Sequence, residues 1–272
     1  MPTPFQHLHY AQQILLAPGL PAWLRDLLEV ESGAFLLGNT AGDVQTITGQ
    51  RRVETHFYSL SDLHRGPASD GLLIAYPSLA NPWSLSSAQA AFVSGYLVHL
   101  VWDQIWADDV FIPLYRDSAI WPDWESRFIH HNALRVHLDR ESYAALDRDG
   151  VAEALEGVTP AQWLPFVPDT ALKEWRDWLA TQLRDPSSVE TAAVFAERMA
   201  VPVTALEDIV AVMVGGKYSA VPRLGEALAH YDAAGQAGSV GTLLHYWSSG
   251  PKLALMSEGT AADQVCRGKG HR

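Results

Sequence analysis

The sequence predicts an all-α protein, a multi-helix bundle with long loops and little or no sheet. Three observations carry that expectation. Apolar residues recur at helical spacing in many segments, and nothing alternates strand-like with helix-like stretches, so a doubly wound sheet is not expected. Ser, Thr and Asp stand at capping positions ahead of several of those apolar segments. The most apolar stretch, Ala91 to Trp106 (AFVSGYLVHLVWDQIW), is long enough for a buried helix and carries His99 and Asp103 four residues apart. On a helix that spacing puts both side chains on one face, one turn apart. Polar groups in such a setting are costly unless something satisfies them. A hydrogen bond between the two would do so, and so would a divalent metal.

The chain has 272 residues, 48% of them hydrophobic and 18% charged, which is the composition of a globular protein. A formal net charge of -12 argues against sequence-independent binding of nucleic acid, whose affinity comes from neutralising phosphates. Bound metal could still reverse the local sign and admit an anionic substrate. The only cysteine is Cys266, so an intrachain disulfide and a cysteine-rich zinc site are both excluded. The N-terminal stretch lacks a basic start followed by an apolar core, and no run of 18 apolar residues occurs. A cytoplasmic protein without a membrane span is therefore expected.

Taken in order, residues 7–16 predict a short helix ended by Pro18-Gly19. Residues 21–30 predict an amphipathic helix with Trp23, Leu24, Leu27 and Leu28 on one side. Residues 34–37 form a short apolar piece, and the run from Gly42 through TITGQRR predicts loop or short extended structure. Residues 61–87, rich in Gly, Pro and Ser, predict a long loop with room for one short element, of the kind that serves as a lid or binding segment. Ser84 to Ser87 cap the central helix, and Pro113 limits helical structure beyond it. Residues 123–146 predict a second strong helix stopped by Asp149-Gly150, and Thr159-Pro160 predicts a helix start. Helices are expected over 169–183, 188–200, 204–214 and 221–233, the second and third preceded by capping-box pairs Ser187/Glu190 and Thr204/Glu207. Gly235 to Gly241 predicts a flexible stretch before a last turn over 242–247. The domain expectation is residues 1–150 as a metal-bearing helical domain, 151–250 as a helical extension and 251–272 as a disordered tail.

Eight of the 11 histidines precede residue 140. His7, Asp43, His56, His99 and Asp103 stand in or beside apolar segments. Each alone has a structural explanation: an exposed histidine, a capping aspartate, a core histidine with its partner. Together, three imidazoles and two carboxylates make a donor set suited to zinc without cysteine. Helical proteins build such sites from ligands distant in sequence.

The same residues carry a resemblance. The early His7-Leu-His-Tyr-Ala, then Phe35-Leu-Leu-Gly-Asn-Thr-Ala-Gly-Asp43, then Thr55-His56-Phe57, then Gly95-Tyr-Leu-Val-His99-Leu-Val-Trp-Asp103 follow the order and approximate spacing of the zinc-dependent phospholipase C family. That family shares its helical fold with fungal single-strand nucleases. The resemblance covers roughly residues 3–106, and the central helix motif is its most specific part. It implies that Asp43, His56, His99 and Asp103 hold one zinc ion. It further implies that Asp103 bridges to a second, to which His7 contributes, and that Asp43 doubles as a candidate general base. Secreted members use a processed N-terminal tryptophan as a ligand, whereas this sequence starts Met1-Pro2-Thr3. They also carry further His and Glu ligands soon after the central helix. Here the nearest candidates are His130, His131, His137 and Glu141, for which a solvated charged face is the alternative.

The expected function is a metal-dependent hydrolase of phosphoric esters, phospholipase C-like, using one or two zinc ions, or three in the full family pattern. Its expected substrate is a small-molecule or lipid phosphoester. The alternative is a non-catalytic helical protein that keeps a structural or ligand-binding metal site. Phe57, Tyr58, Trp102 and Trp106 are candidates for contacting a lipid or base moiety, with core packing the favoured role for Trp102. A His-Asp phosphohydrolase motif and a His-Glu-x-x-His motif are both absent.

Overall fold

A computed structural model describes residues 1–62, 66–216 and 221–248. The expected disordered tail over 251–272 lies outside the described residues, as does His64. The architecture is all-α, and no strand occurs among the described residues. The helices are α1 (Pro4–Leu15), α2 (Ala22–Val30), α3 (Ser32–Ala41), α4 (Gln45–Thr48), α5 (Arg52–His56), α6 (Ala68–Ala75), α7 (Ser87–Ile105), α8 (Trp124–Ala145), α9 (Arg148–Glu156), α10 (Asp169–Arg184), α11 (Thr191–Met199), α12 (Val203–Gly215) and α13 (Leu224–Ser248).

Helix α7 is the central element. From Ala90 to Leu100 every residue is buried, so the helix is enclosed on all sides, as its unbroken apolarity requires. Ser86 caps it, its hydroxyl accepting from the Gln89 N–H at 3.2 Å. Helix α3 lies along α7 at unusually close range. A Cβ on Gly38 would collide with the Phe92 carbonyl, and one on Gly95 with the Phe35 carbonyl. Two glycines facing each other's helix let the backbones approach, and the approach carries the α3 backbone to His99. Helices α1, α2 and α13 also pack on α7, α8 on α1, and α9 and α10 on α3. One continuous buried cluster runs from Phe5 to Trp247 and includes Trp102, Trp106 and Trp175.

Several local expectations change. The segment after α3 is not extended: a 3-10 turn, Gly42–Val44, leads directly into α4. The expected long loop holds α6, followed by two 3-10 turns, Pro77–Leu79 and Pro82–Ser84. Pro113 does not end the helical path after α7. The chain continues through Trp106–Arg116 in wide π-type turns, closing with the Asp117 N–H bonded to the Ile112 carbonyl at 2.9 Å. Asp149-Gly150 is not a stop: α8 ends at Ala145, and Asp147 caps α9, accepting from the Gly150 N–H at 3.2 Å. No helix begins at Thr159-Pro160.

The largest difference is at residues 235–241, which are helical throughout within α13. Here glycine supplies space. A Cβ on Gly235 would run into the six-membered ring of Trp102, which lies stacked on Tyr10 with centroids 3.8 Å apart. Sequence patterning registers the low helix propensity of glycine, but the close packing of α13 on α7 outweighs it. Gly235→Val should therefore destabilise the protein by ~1–3 kcal/mol through overpacking. Urea denaturation would show this as a lower midpoint, and an unchanged midpoint would mean that Trp102 has room to move.

Candidate metal centre

Five polar groups are delivered to the interior by four short stretches of chain. His7 comes from α1, Asp43 from the turn after α3, His56 from the end of α5, and His99 and Asp103 from α7. His7, His56 and His99 are fully buried and Asp103 is 1% exposed, whereas Asp43 keeps 21% exposure. His9, on the same helix as His7, is only half-buried and its Nε2 bonds to Gln13 instead, at 2.9 Å.

The geometry is tight. His56 Nε2 lies 2.9 Å from Asp103 Oδ2, 3.8 Å from Asp43 Oδ1 and 3.2 Å from His99 Nε2. His7 Nε2 lies 3.5 Å from Asp103 Oδ1, and its ring stacks on His99 with centroids 4.0 Å apart. Two groupings, His7/His99/Asp103 and Asp43/His56/His99, each present donor atoms within 4.8 Å of one another and could hold a metal ion. His99 is common to both.

The hydrogen bonds assign the lone pairs. His99 Nδ1 is 2.9 Å from the Asn39 carbonyl oxygen, which can only accept, so Nδ1 carries the proton and Nε2 presents a lone pair to the centre. Gly42 makes room for this ring, since a Cβ there would overlap the imidazole. His56 Nδ1 is 2.9 Å from Thr55 Oγ1, which is 3.3 Å from the Arg52 carbonyl. If Thr55 donates to that carbonyl, it accepts from Nδ1–H, and His56 Nε2 also offers a lone pair. This is the outer-shell pattern that orients metal-binding histidines. Neither nitrogen of His7 has a hydrogen bond, nor does Asp103 Oδ1, although all three are buried. Orphaned donors and acceptors of this kind need a partner, and a divalent cation with imidazole and carboxylate ligands fits them.

Sequence reading did not single out Arg52, and it offered Tyr58 for ligand contact and not for holding Asp103. Arg52 Nη2 donates to Asp103 Oδ2 at 2.5 Å and to Tyr58 Oη at 2.8 Å, and Tyr58 Oη donates to the Asp103 carbonyl at 3.1 Å. The available signal was Arg52 and His56 at i, i+4 in RVETH. Phe57 packs edge-on against Tyr76 and Phe166, while Trp106 donates to His131 Nε2 at 3.0 Å, so both serve packing. Of the candidates on α8, His130 bonds to the Ser126 carbonyl and His137 pairs with Glu141 at 3.5 Å; with His131, none joins either metal grouping.

Burial pushes His7 and His56 down to about 3, so both are neutral and available as ligands near neutral pH. Burial would raise Asp103, but its contacts with His56, His7 and Arg52 hold it well below the usual carboxylate range. Asp43, though partly exposed, is raised, chiefly by desolvation.

No family model, no curated protein and no solved structure matches this chain. Fold and geometry therefore define its class: an all-α protein with buried His/Asp groupings that could hold a metal ion. No helix among the described residues is long and apolar enough to cross a membrane.

The two histidines set a pH dependence in metal-free protein. Their folded pKa lies below the unfolded value, so the unfolded state binds more protons, and stability present above about pH 6.5 is lost as pH falls. The limiting slope for two groups is about 2.7 kcal/mol per pH unit. Asp139, raised to about 6 by burial, acts in the opposite sense, as does Asp43: their contribution is present at low pH and lost as pH rises. The urea midpoint should fall from pH 7 to pH 5, and more steeply in Asp139→Asn. A midpoint that rises toward pH 5 would contradict this assignment.

Proposed function

We propose that His7, Asp43, His56, His99 and Asp103 hold a divalent metal ion, and that the protein is a zinc-dependent hydrolase of phosphoric esters, phospholipase C-like. The observation that carries this reading is the convergence of imidazole and carboxylate atoms at one place in the interior, where His7 Nε2 and Asp103 Oδ1 have only their 3.5 Å approach to each other. Zinc suits nitrogen and oxygen donors without thiolate. One ion is the stoichiometry the donors favour. The two groupings share His99, whose single free lone pair, on Nε2, can serve only one metal.

A zinc ion in this position supplies Lewis acidity, polarising a phosphoryl oxygen and acidifying a water. The chain's own residues do the rest. The Asn39 carbonyl and Thr55 orient the His99 and His56 rings. Arg52 and Tyr58 fix the Asp103 carboxylate. Asp43 is the one member of the set open to solvent, so substrate and water meet the centre on its side. As the solvent-facing carboxylate of the set, it is the group placed to take a proton from an attacking water.

A second reading is a non-catalytic protein with a structural metal. It is favoured by the Arg52 guanidinium, which already gives Asp103 a positive partner at 2.5 Å, and by the burial of every other ligand. Elemental analysis of protein purified without chelator should find equimolar zinc, lost in His99→Ala and Asp103→Ala; protein free of metal would sink both readings. Turnover of bis-p-nitrophenyl phosphate separates them. Hydrolysis should require zinc, and Asp43→Asn assayed at saturating zinc should lower kcat by ~10²–10⁴. Zinc binding without turnover across a broad ester panel would favour the structural reading.

A further inference from the structure

We infer that the cleft beside Asp43, walled by α8, α10 and α11, is an anion-binding subsite for a phosphate ester that carries an aromatic group. The inference rests on the proposed function for the fate of the bound ester, whereas the binding itself does not require the metal.

The cleft, open to solvent on one side, holds about 50 Å³ of free space, and Asp43 lines it together with Arg135, Gln182 and Arg198. Arg135 is half-buried. Its Nε donates to the Met1 carbonyl at 2.5 Å and its Nη1 to Asn132 Oδ1 at 2.9 Å, while its guanidinium lies over the Phe195 ring at 4.2 Å. All of these partners are neutral, and Arg135 forms no ion pair among the described residues. Asp139, on the same helix, is already engaged by the hydroxyls of Thr3 and Thr191. Asp43 shares the cleft and acts on Arg135 from a distance, but no carboxylate touches the guanidinium, so an anion could pair with it directly.

Gln182 is the independent observation. It is 2% exposed, and its Oε1 accepts from the Glu190 N–H at 3.0 Å, which fixes the amide orientation. Its Nε2 then lies buried in the wall of the cleft with no hydrogen-bond partner. Arg198, exposed at the rim, makes only a 3.3 Å contact with Thr46 Oγ1 and no ion pair among the described residues. Two guanidinium groups and a free amide N–H₂ make a donor set for a tetrahedral oxyanion. Trp175, Trp178, Leu179 and Phe195 form the apolar walls, the two indoles stacked at 4.9 Å, and suit a flat ring. The Asp43 carboxylate opposes the anion, so two positive groups face one negative group. Zinc on Asp43 would remove that opposition and tighten binding.

The test is titration of chelator-treated protein with phenyl phosphate, inorganic phosphate and benzoate, followed by tryptophan fluorescence and ³¹P line broadening. Phenyl phosphate should bind saturably, more tightly than inorganic phosphate, and less tightly as salt is raised. Arg198→Gln and Gln182→Leu should each weaken it about tenfold, whereas Arg184→Gln, whose pairing with Asp149 and Glu156 lies outside the cleft, should not. Arg198 is on the surface, so that variant should fold normally. Absence of saturable binding, unchanged affinity in both cleft variants, or benzoate binding as tightly as phenyl phosphate would overturn the inference. Zinc uptake is measured alongside. Zinc uptake without phenyl phosphate binding overturns the subsite and leaves the metal centre standing. Phenyl phosphate binding without zinc uptake supports the subsite and removes the metal reading.

Discussion

The Asp103 carboxylate is the group on which this structure depends. It is a buried anion, and an anion in an apolar interior persists only if other groups supply positive charge and hydrogen bonds. Arg52, His56 and His7 reach it from two other helices, and Tyr58 holds its backbone. Each of those groups must be carried to the same few ångströms of α7. The short α5, the turn after it and the placement of α1 against α7 all serve that convergence. Buried charge here dictates where the surrounding elements must lie.

A second constraint is steric. Helix α3 lies against α7 with glycine facing backbone on both sides, which brings the Asn39 carbonyl to His99 Nδ1. A third glycine, Gly42, leaves the His99 ring its space. The proton on His99 is thus assigned by helix packing: a closer backbone gives a carbonyl acceptor, the acceptor fixes the tautomer, and the tautomer turns a lone pair toward the centre. These packing contacts fix the orientation of the imidazole donors.

Asp43 sits where two features of the structure meet. It belongs to the buried constellation and also lines the cleft formed with α8, α10 and α11. The helices beyond residue 150 contribute the aromatic walls, Gln182 and Arg198 to that cleft. In a chain of formal net charge -12, two arginines turned into one cleft are a local reversal of sign.

The all-α class was legible because helical periodicity and caps such as Ser86 are local properties, and the structure agrees. His99 and Asp103 were legible as a pair because i, i+4 spacing on an apolar helix places them on one face whatever surrounds them. His7, Asp43 and His56 were legible only as residue types in suitable settings, and no local rule says that they meet. Three things were decided by tertiary structure alone. Gly235 to Gly241 are helical because α13 packs closely on α7, where Trp102 occupies the space a Cβ on Gly235 would need. Arg52 is the partner of Asp103 because α5 folds back onto α7. Arg135, Gln182 and Arg198 share a cleft because α8, α10 and α11 close around it. Sequence determines which helices form and which faces are apolar, since those depend on neighbours a turn apart. Convergence of charges, orientation of imidazoles and the opening of a cleft depend on contacts between distant segments, and those exist only once the core has closed.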